Sequence, residues 1–128
     1  MKLLLDTHTL LWAVDDPTQL GSRAVAVLQD STNDLMLSAG SMWELAIKVG
    51  AKKLELAAPY RQWILQAIDD LGLTILPVSV DYAHVQTELP FHHKDPFDRF
   101  LVAQSLYEQI PIVSIDPQLD KYGVIRIW

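Results

Sequence analysis

Five short apolar runs constrain the fold of this chain more than any other feature: Leu3-Leu4-Leu5, Leu35-Met36-Leu37, Thr74-Ile75-Leu76, Ile112-Val113 and Val124-Ile125. Their residues are continuous rather than alternating, which is how strands covered on both faces read. Such strands need helices above and below, and the segments between them have helical spacing. Leu20 to Gln29 repeats apolar residues at Ala24, Val25 and Leu28, and Ser41 to Val49 does so at Trp43, Leu45, Ala46 and Val49. Tyr60 to Leu71 carries a wide stripe of Trp63, Ile64, Ala67, Ile68 and Leu71, and Asp98 to Tyr107 presents Leu101, Val102 and Leu106. A short helix starting near Ser79 or Asp81 is expected between Pro77 and Pro90. Gly50, Gly72 and Gly123 stand where elements should stop, and Pro59 and Pro96 where helices could start. Strand, helix, strand, helix predicts one α/β domain over residues 1–128. We expect a mostly parallel central sheet with right-handed crossovers.

The acids fall at telling places on such a scaffold. Asp6 directly follows the first run, and Asp116 follows Ile112-Val113-Ser114-Ile115. Glu44 lies in the first turn of the helix that Ser41 opens, and Asp95 and Asp98 bracket Pro96 at the start of another. In a parallel sheet, strand C-termini and the following helix N-termini share one rim, where ligands bind. Each acid also has an ordinary explanation. Ser41-Met42-Trp43-Glu44 reads as a capping box, Asp95 before Pro96 as an N-cap, and Asp116-Pro117 as a cap or turn. Asp6 fits that explanation least, because it ends a buried strand where an apolar residue would cost less. Two carboxylates ~6 Å apart at an effective dielectric of ~20 repel by roughly 3 kcal/mol. A helix dipole relieves only ~0.3–1 kcal/mol of that per carboxylate. A shared divalent ion would resolve the conflict. Oxygen-only donors favour Mg²⁺ or Mn²⁺ over zinc, and such a site suits metal-assisted phosphodiester hydrolysis.

Composition narrows the alternatives. Ten Lys and Arg against 16 Asp and Glu give a net charge of −6, which excludes holding nucleic acid by bulk positive charge. With no Cys, disulfide frameworks, thiolate zinc sites and Cys nucleophiles are excluded. Asp6 interrupts the N-terminal apolar run before it reaches export-signal length, and no run approaches a membrane span. A cytoplasmic protein without membrane attachment is therefore expected. His8 breaks the Asp-x-Asp pattern of haloacid dehalogenase-type phosphatases, and a receiver domain needs a central-strand phosphoacceptor Asp and a later strand-end Lys, whereas the third run ends at Pro77. A non-catalytic α/β binding module, whose acids act only as caps, remains as an alternative.

The segments Leu3-Leu4-Leu5-Asp6-Thr7-His8, Ser41-Met42-Trp43-Glu44-Leu45-Ala46-Ile47-Lys48, Asp95-Pro96-Phe97-Asp98-Arg99-Phe100-Leu101-Val102-Ala103-Gln104 and Ser114-Ile115-Asp116 together resemble the PIN (PilT N-terminus-like) domain. More narrowly they resemble the VapC-type ribonuclease toxins of toxin–antitoxin pairs. The resemblance covers the whole chain, including Tyr122-Gly123-Val124 through Trp128. It implies a three-layer α/β/α sandwich with a central, mostly parallel sheet, and a catalytic acidic site of Asp6, Glu44, Asp98 and Asp116. Asp6, Asp98 and Asp116 would hold Mg²⁺, with Mn²⁺ as a substitute, and Glu44 would orient water or help bind a second ion. Asp98, rather than Asp95, takes the family position because Asp98-Arg99-Phe100-Leu101-Val102-Ala103 aligns with the family's helix-opening pattern. His8 stands where relatives often have Asn, and Ser114 fits the hydroxyl common before the fourth acid. The resemblance further implies an RNA substrate, a cognate antitoxin that blocks the site, and a homodimer. A housekeeping RNA-processing PIN nuclease is the alternative within the family.

Other residues carry two readings each. Lys48, Lys52 and Lys53 form either a solvated face or an RNA contact. Asp95 is a cap or an auxiliary site group, and Arg99 pairs with Asp98 or reaches a phosphate. His92-His93-Lys94 reads as a surface loop rather than a metal or acid–base element, and His84 as structural. Trp12 and Trp63 either pack or cover a partner surface, and Leu10-Leu11-Trp12 forms a candidate docking patch.

Overall fold

The computed structural model describes all 128 residues, Met1–Trp128. In chain order the elements are β1 (Lys2–Leu5), α1 (Thr7–Asp15), a 3-10 turn (Pro17–Gln19), α2 (Ser22–Gln29), β2 (Asp34–Ser38), α3 (Ala39–Gly50) and α4 (Tyr60–Leu71). These are followed by β3 (Thr74–Leu76), α5 (Val80–Glu88), α6 (Pro96–Glu108), β4 (Ile112–Val113), a 3-10 helix (Pro117–Tyr122) and β5 (Arg126–Ile127). The five strands form one sheet in the order β3-β2-β1-β4-β5, and every pairing is parallel. No helix is long and apolar enough to cross a membrane.

Period-two geometry makes the layers. Leu3, Leu4 and Leu5 are all 0% exposed, and neighbouring side chains on a strand point to opposite faces. Leu3 and Leu5 join a core with Leu35, Leu37, Leu10 of α1, Ala24 of α2, Leu45 of α3 and Trp63 of α4. Leu4 and Met36 join a second core with Tyr82 of α5 and Phe100, Leu101 and Val102 of α6. Each buried Leu contributes roughly 1.5–3 kcal/mol relative to an exposed one. Helix-lined cores on both faces of one sheet make the three-layer sandwich that the continuous runs predict.

Three local expectations are corrected. The helix expected to open at Ser41 starts earlier: Ser38 is its N-cap, its Oγ accepting from the Gly40 N–H at 3.0 Å. Ser41 is buried inside the helix, so the Ser41–Glu44 capping box does not form. A Cβ on Gly40 would lie 3.3 Å from the Phe100 ring, so the small residue allows α6 to pack close over the start of α3. The last strand is Arg126–Ile127 rather than Val124-Ile125. Gly123, at φ +78°, ends the 3-10 helix, and the next two residues carry the chain to the edge register, where Val113 faces Ile127. Leu10-Leu11-Trp12 belongs to helix α1, and Leu10 lies in the core, so Leu10 is no part of an exposed patch, while Leu11 and Trp12 are half-buried. Trp63 is also buried, and its Nε1 donates to Asp15 Oδ1 at 2.8 Å, which removes it from any partner surface.

Candidate active site

The sheet order changes direction at β1. Its chain neighbour β2 lies on one side and β4, from far along the sequence, on the other. The crevice outside the strand ends at such a switch point is where open α/β sheets bind ligands. Asp6 ends β1 there and caps α1, Oδ1 accepting from the His8 N–H at 3.3 Å. Asp116 caps the 3-10 helix after β4, Oδ1 accepting from the Gln118 N–H at 2.9 Å. Asp95 caps α6, Oδ1 accepting from the Phe97 N–H at 2.8 Å and the Asp98 N–H at 3.4 Å. Capping and clustering are therefore one arrangement: parallel strands aim helix N-termini, with their partial positive charge, at the rim that gathers the acids.

Asp6, Asp98 and Asp116 line one cavity of about 430 Å³ together with His8, Trp12, Ile115 and Pro117. Glu44 is not among the lining residues. It is 5% exposed, the Thr7 hydroxyl donates to its Oε1 at 2.8 Å, and Lys48 Nζ donates to its Oε2 at 2.9 Å. Thr7 also shares a hydroxyl–hydroxyl hydrogen bond of 2.9 Å with Ser41. Ser114 donates to Asp6 Oδ2 at 2.5 Å and accepts from the Asp116 N–H at 3.1 Å, linking the two strand ends.

Burial and repulsion from neighbouring carboxylates raise the carboxyls of Asp6 and Asp98. Burial, then the charges of Asp6 and Asp95, push the Asp98 carboxyl up to about 7, with His93 opposing and Glu44 adding to the rise. Burial also raises Asp6, against hydrogen bonds from Ser114 and His8. Ligand atoms of His93, Asp98 and Asp116 all lie within 4.8 Å of one another. Hard carboxylate oxygens converging beside a polar cavity fit a divalent cation of the Mg²⁺ or Mn²⁺ type.

Two candidates turn inward or outward against expectation, and one residue was missed. Arg99 neither pairs with Asp98 nor reaches a phosphate. It is 5% exposed and donates to the carbonyls of Pro90 (2.8 Å), Gln86 (3.3 Å) and Leu89 (3.3 Å) and to the Tyr122 hydroxyl (3.3 Å), with its guanidinium 4.0 Å from the Phe91 ring centre. One position after Asp98, and so about 100° further round α6, it turns to the segment before that helix and pins it. His84 is exposed, against the structural reading, 3.0 Å from Glu88. His93 does lie in the loop before α6, yet its Nε2 sits 3.2 Å from Asp98 Oδ2 and 3.1 Å from Asp116 Oδ2. The available signal was its place just before the Asp95-Pro96 cap, which puts the loop on the acidic rim. His92 instead packs edge-on against Tyr122.

Of the basic residues, Lys48 and Lys53 line a groove with Thr7 and His8, next to the acidic cavity. Lys52 and Lys53 line a second groove beyond it.

A parallel three-layer sandwich with an acidic cavity at its switch point defines a class of α/β proteins. Comparison with known proteins makes the class specific. The model of the PIN domain family matches residues 3–125, and the chain belongs to that family. It is similar to ribonuclease VapC22 of Mycobacterium tuberculosis, 26% identical over 129 residues and 98% of both chains. Ribonuclease VapC16 of the same organism is 37% identical over 59 residues, 46% of this chain and 40% of that one. Among solved structures, VapBC2 from Rickettsia felis, bound to a DNA fragment from its promoter, matches with a TM-score of 0.69 at 15% identity, covering 98% of this chain and 97% of that one. FitAcB from Neisseria gonorrhoeae matches with a TM-score of 0.65 at 20% identity, covering 97% and 95%. At these identities the solved structures speak for the fold.

Proposed function

We propose that this chain is a divalent-metal-dependent endoribonuclease, the toxin of a toxin–antitoxin pair, acting on RNA in the cytoplasm. The observation that carries the reading is the convergence of Asp6, Asp98 and Asp116, from distant parts of the chain, on one cavity at the sheet's switch point. Family membership and the full-length similarity to a ribonuclease support the same conclusion.

Asp6, Asp98 and Asp116 would hold Mg²⁺, or Mn²⁺ in its place. A bound ion of this kind polarises a phosphodiester and makes water a better nucleophile near neutral pH. Ser114 keeps Asp6 oriented toward the cavity through its 2.5 Å hydrogen bond. Glu44, fixed between Thr7 and Lys48, adds negative potential behind Asp6 and holds Thr7 in the groove beside the cavity. Lys48 and Lys53 give the RNA backbone a cationic path beside His8, offsetting the overall charge of −6 where it matters. Lys52 extends that path. Hydrolysis adds water across one P–O bond, and the departing oxygen leaves with a proton. A cognate antitoxin covers the cavity, and the toxin is a homodimer.

The test is cleavage of defined single-stranded RNAs with Mg²⁺, with EDTA, and with Asp6→Asn protein whose circular dichroism matches wild type. Activity should vanish with EDTA and with the substitution. Cleavage that persists in EDTA, or in pure Asp6→Asn protein, overturns the proposal.

A further inference from the structure

The loop that enters α6 does more than connect. His93 is anchored at three points. Its backbone N–H donates to the Tyr122 hydroxyl at 2.8 Å, its Nδ1 accepts from the Asp95 backbone N–H at 3.2 Å, and its Nε2 faces Asp98 and Asp116. The middle contact is decisive. A backbone amide can only donate, so Nδ1 must be the bare nitrogen, and the hydrogen of a neutral ring must sit on Nε2. A ring held this way cannot offer an Nε2 lone pair to a metal ion. It can give one N–H to two carboxylates.

We propose that His93 is a positioning residue. Its Nε2–H clamps Asp98 on α6 and Asp116 after β4 at the separation a shared cation needs, and the Asp95 amide fixes the tautomer. The proposal rests on the reading of these acids as metal ligands given above.

The anchors make the clamp rigid. Asp95 uses its amide on the imidazole and its carboxylate on the Phe97 and Asp98 amides. One residue thus sets both the ring and the helix turn that carries Asp98. Tyr122, on the 3-10 helix that Asp116 caps, receives both the His93 amide and Arg99 Nη1. The buried Arg99 in turn holds the carbonyls of Gln86, Leu89 and Pro90, so the loop before α6 cannot drift from the 3-10 helix. Gln118 already occupies Asp116 Oδ1, and His93 meets Oδ2. Asp116 is therefore oriented from both ends, while Asp98 is oriented by His93 through Oδ2 only. Hydrogen bonds to ligating carboxylates of this kind typically carry ~10–100-fold in metal affinity or activity.

The experiment uses the full chain and Mn²⁺ as probe. In metal-free protein, ¹⁵N-resolved NMR of His93 should show a bare Nδ1 and a hydrogen on Nε2; an Nδ1-protonated ring overturns the proposal. Mn²⁺ titration should show His93→Ala binding ~10-fold or more weakly than wild type. His93→Gln, whose amide carries an N–H to a similar reach, should recover most of that loss. Equal Mn²⁺ affinity in wild type and His93→Ala, or no recovery with Gln, overturns the clamp. Pulsed EPR of the Mn²⁺-loaded protein should lack the coupling of a directly bound imidazole nitrogen, and its presence also overturns the clamp. If wild type bound no Mn²⁺, the metal-site reading would fall, and the NMR result would still decide the His93 tautomer.

Discussion

Replacing Asp98 with Asn should abolish RNA cleavage while making the metal-free protein more stable, by an amount that depends on pH. In the folded chain the Asp98 carboxyl titrates near 7, against an ordinary value of 3.8, because it is buried beside Asp6 and Asp95. A folded-state pKa above the unfolded one means the native state binds the extra proton. Stability is then fully present below about 3.8 and is lost as pH rises through about 7. At ~1.36 kcal/mol per pKa unit, the raised pKa costs on the order of 4 kcal/mol at pH 8 and on the order of 2 kcal/mol at pH 5. Asn does not titrate. It forfeits the 3.2 Å contact with His93 and ~0.3–1 kcal/mol of helix-dipole stabilisation, but these losses change little with pH. The advantage of Asn over Asp should therefore grow by roughly 2–3 kcal/mol between pH 5 and pH 8. At about 4 °C per kcal/mol for a domain this size, melting temperatures should diverge by roughly 10 °C. Differential scanning calorimetry in EDTA at both pH values is the assay. Adding Mg²⁺ at about 100 times its Kd should raise wild-type stability by ~2.7 kcal/mol and leave the variant unmoved. A variant destabilised equally at both pH values, or stabilised by Mg²⁺ as much as wild type, would refute the reasoning.

Arg99→Lys should destabilise by roughly 2–4 kcal/mol, because an ammonium cannot reproduce the planar fork that serves three carbonyls and the Tyr122 hydroxyl; urea denaturation reads this directly. Ser114→Ala removes the donor on Asp6 Oδ2 and should raise the Asp6 carboxyl further. Cleavage should fall by ~10–100-fold, recovering in part as pH is raised. Ser38→Ala should cost about 1 kcal/mol as the loss of the true cap of α3, read from the shift in urea midpoint. Lys53→Ala in cleavage-inactive Asp6→Asn protein should flatten the salt dependence of single-stranded RNA binding by about 0.7 in log–log slope. An unchanged slope, followed by fluorescence anisotropy, would remove Lys53 from the RNA path.

The legible part of this fold is the part that buries both faces of a sheet. β1 to β4 stand where the apolar runs predict, since a strand packed above and below has no polar positions to confuse its pattern. β5 was displaced by two residues because an edge strand this short alternates. Ile127 points into the core, while Arg126 reaches out to Asp120 at 2.8 Å. Helix α1 leaves no apolar periodicity in the sequence because its first turn, Thr7-His8-Thr9, is polar. Two of those residues are buried through hydrogen bonds rather than apolar contact, Thr7 to Glu44 and Thr9 to the Val113 carbonyl.

The sequence alone determined the strand order along the chain, the two-sided burial, and the delivery of Asp6, Asp98 and Asp116 to one rim, because parallel connection forces successive strand ends onto the same edge. Tertiary packing decided which groups face the cavity. It drew Glu44 back behind Thr7, turned Arg99 into the loop beneath α6, and brought His93 across to bridge two acids. Those outcomes depend on how each helix is rotated about its axis and on contacts between residues far apart in the chain. Hydrophobic periodicity records which side of a helix is buried, but not which polar side chain meets another across the rim.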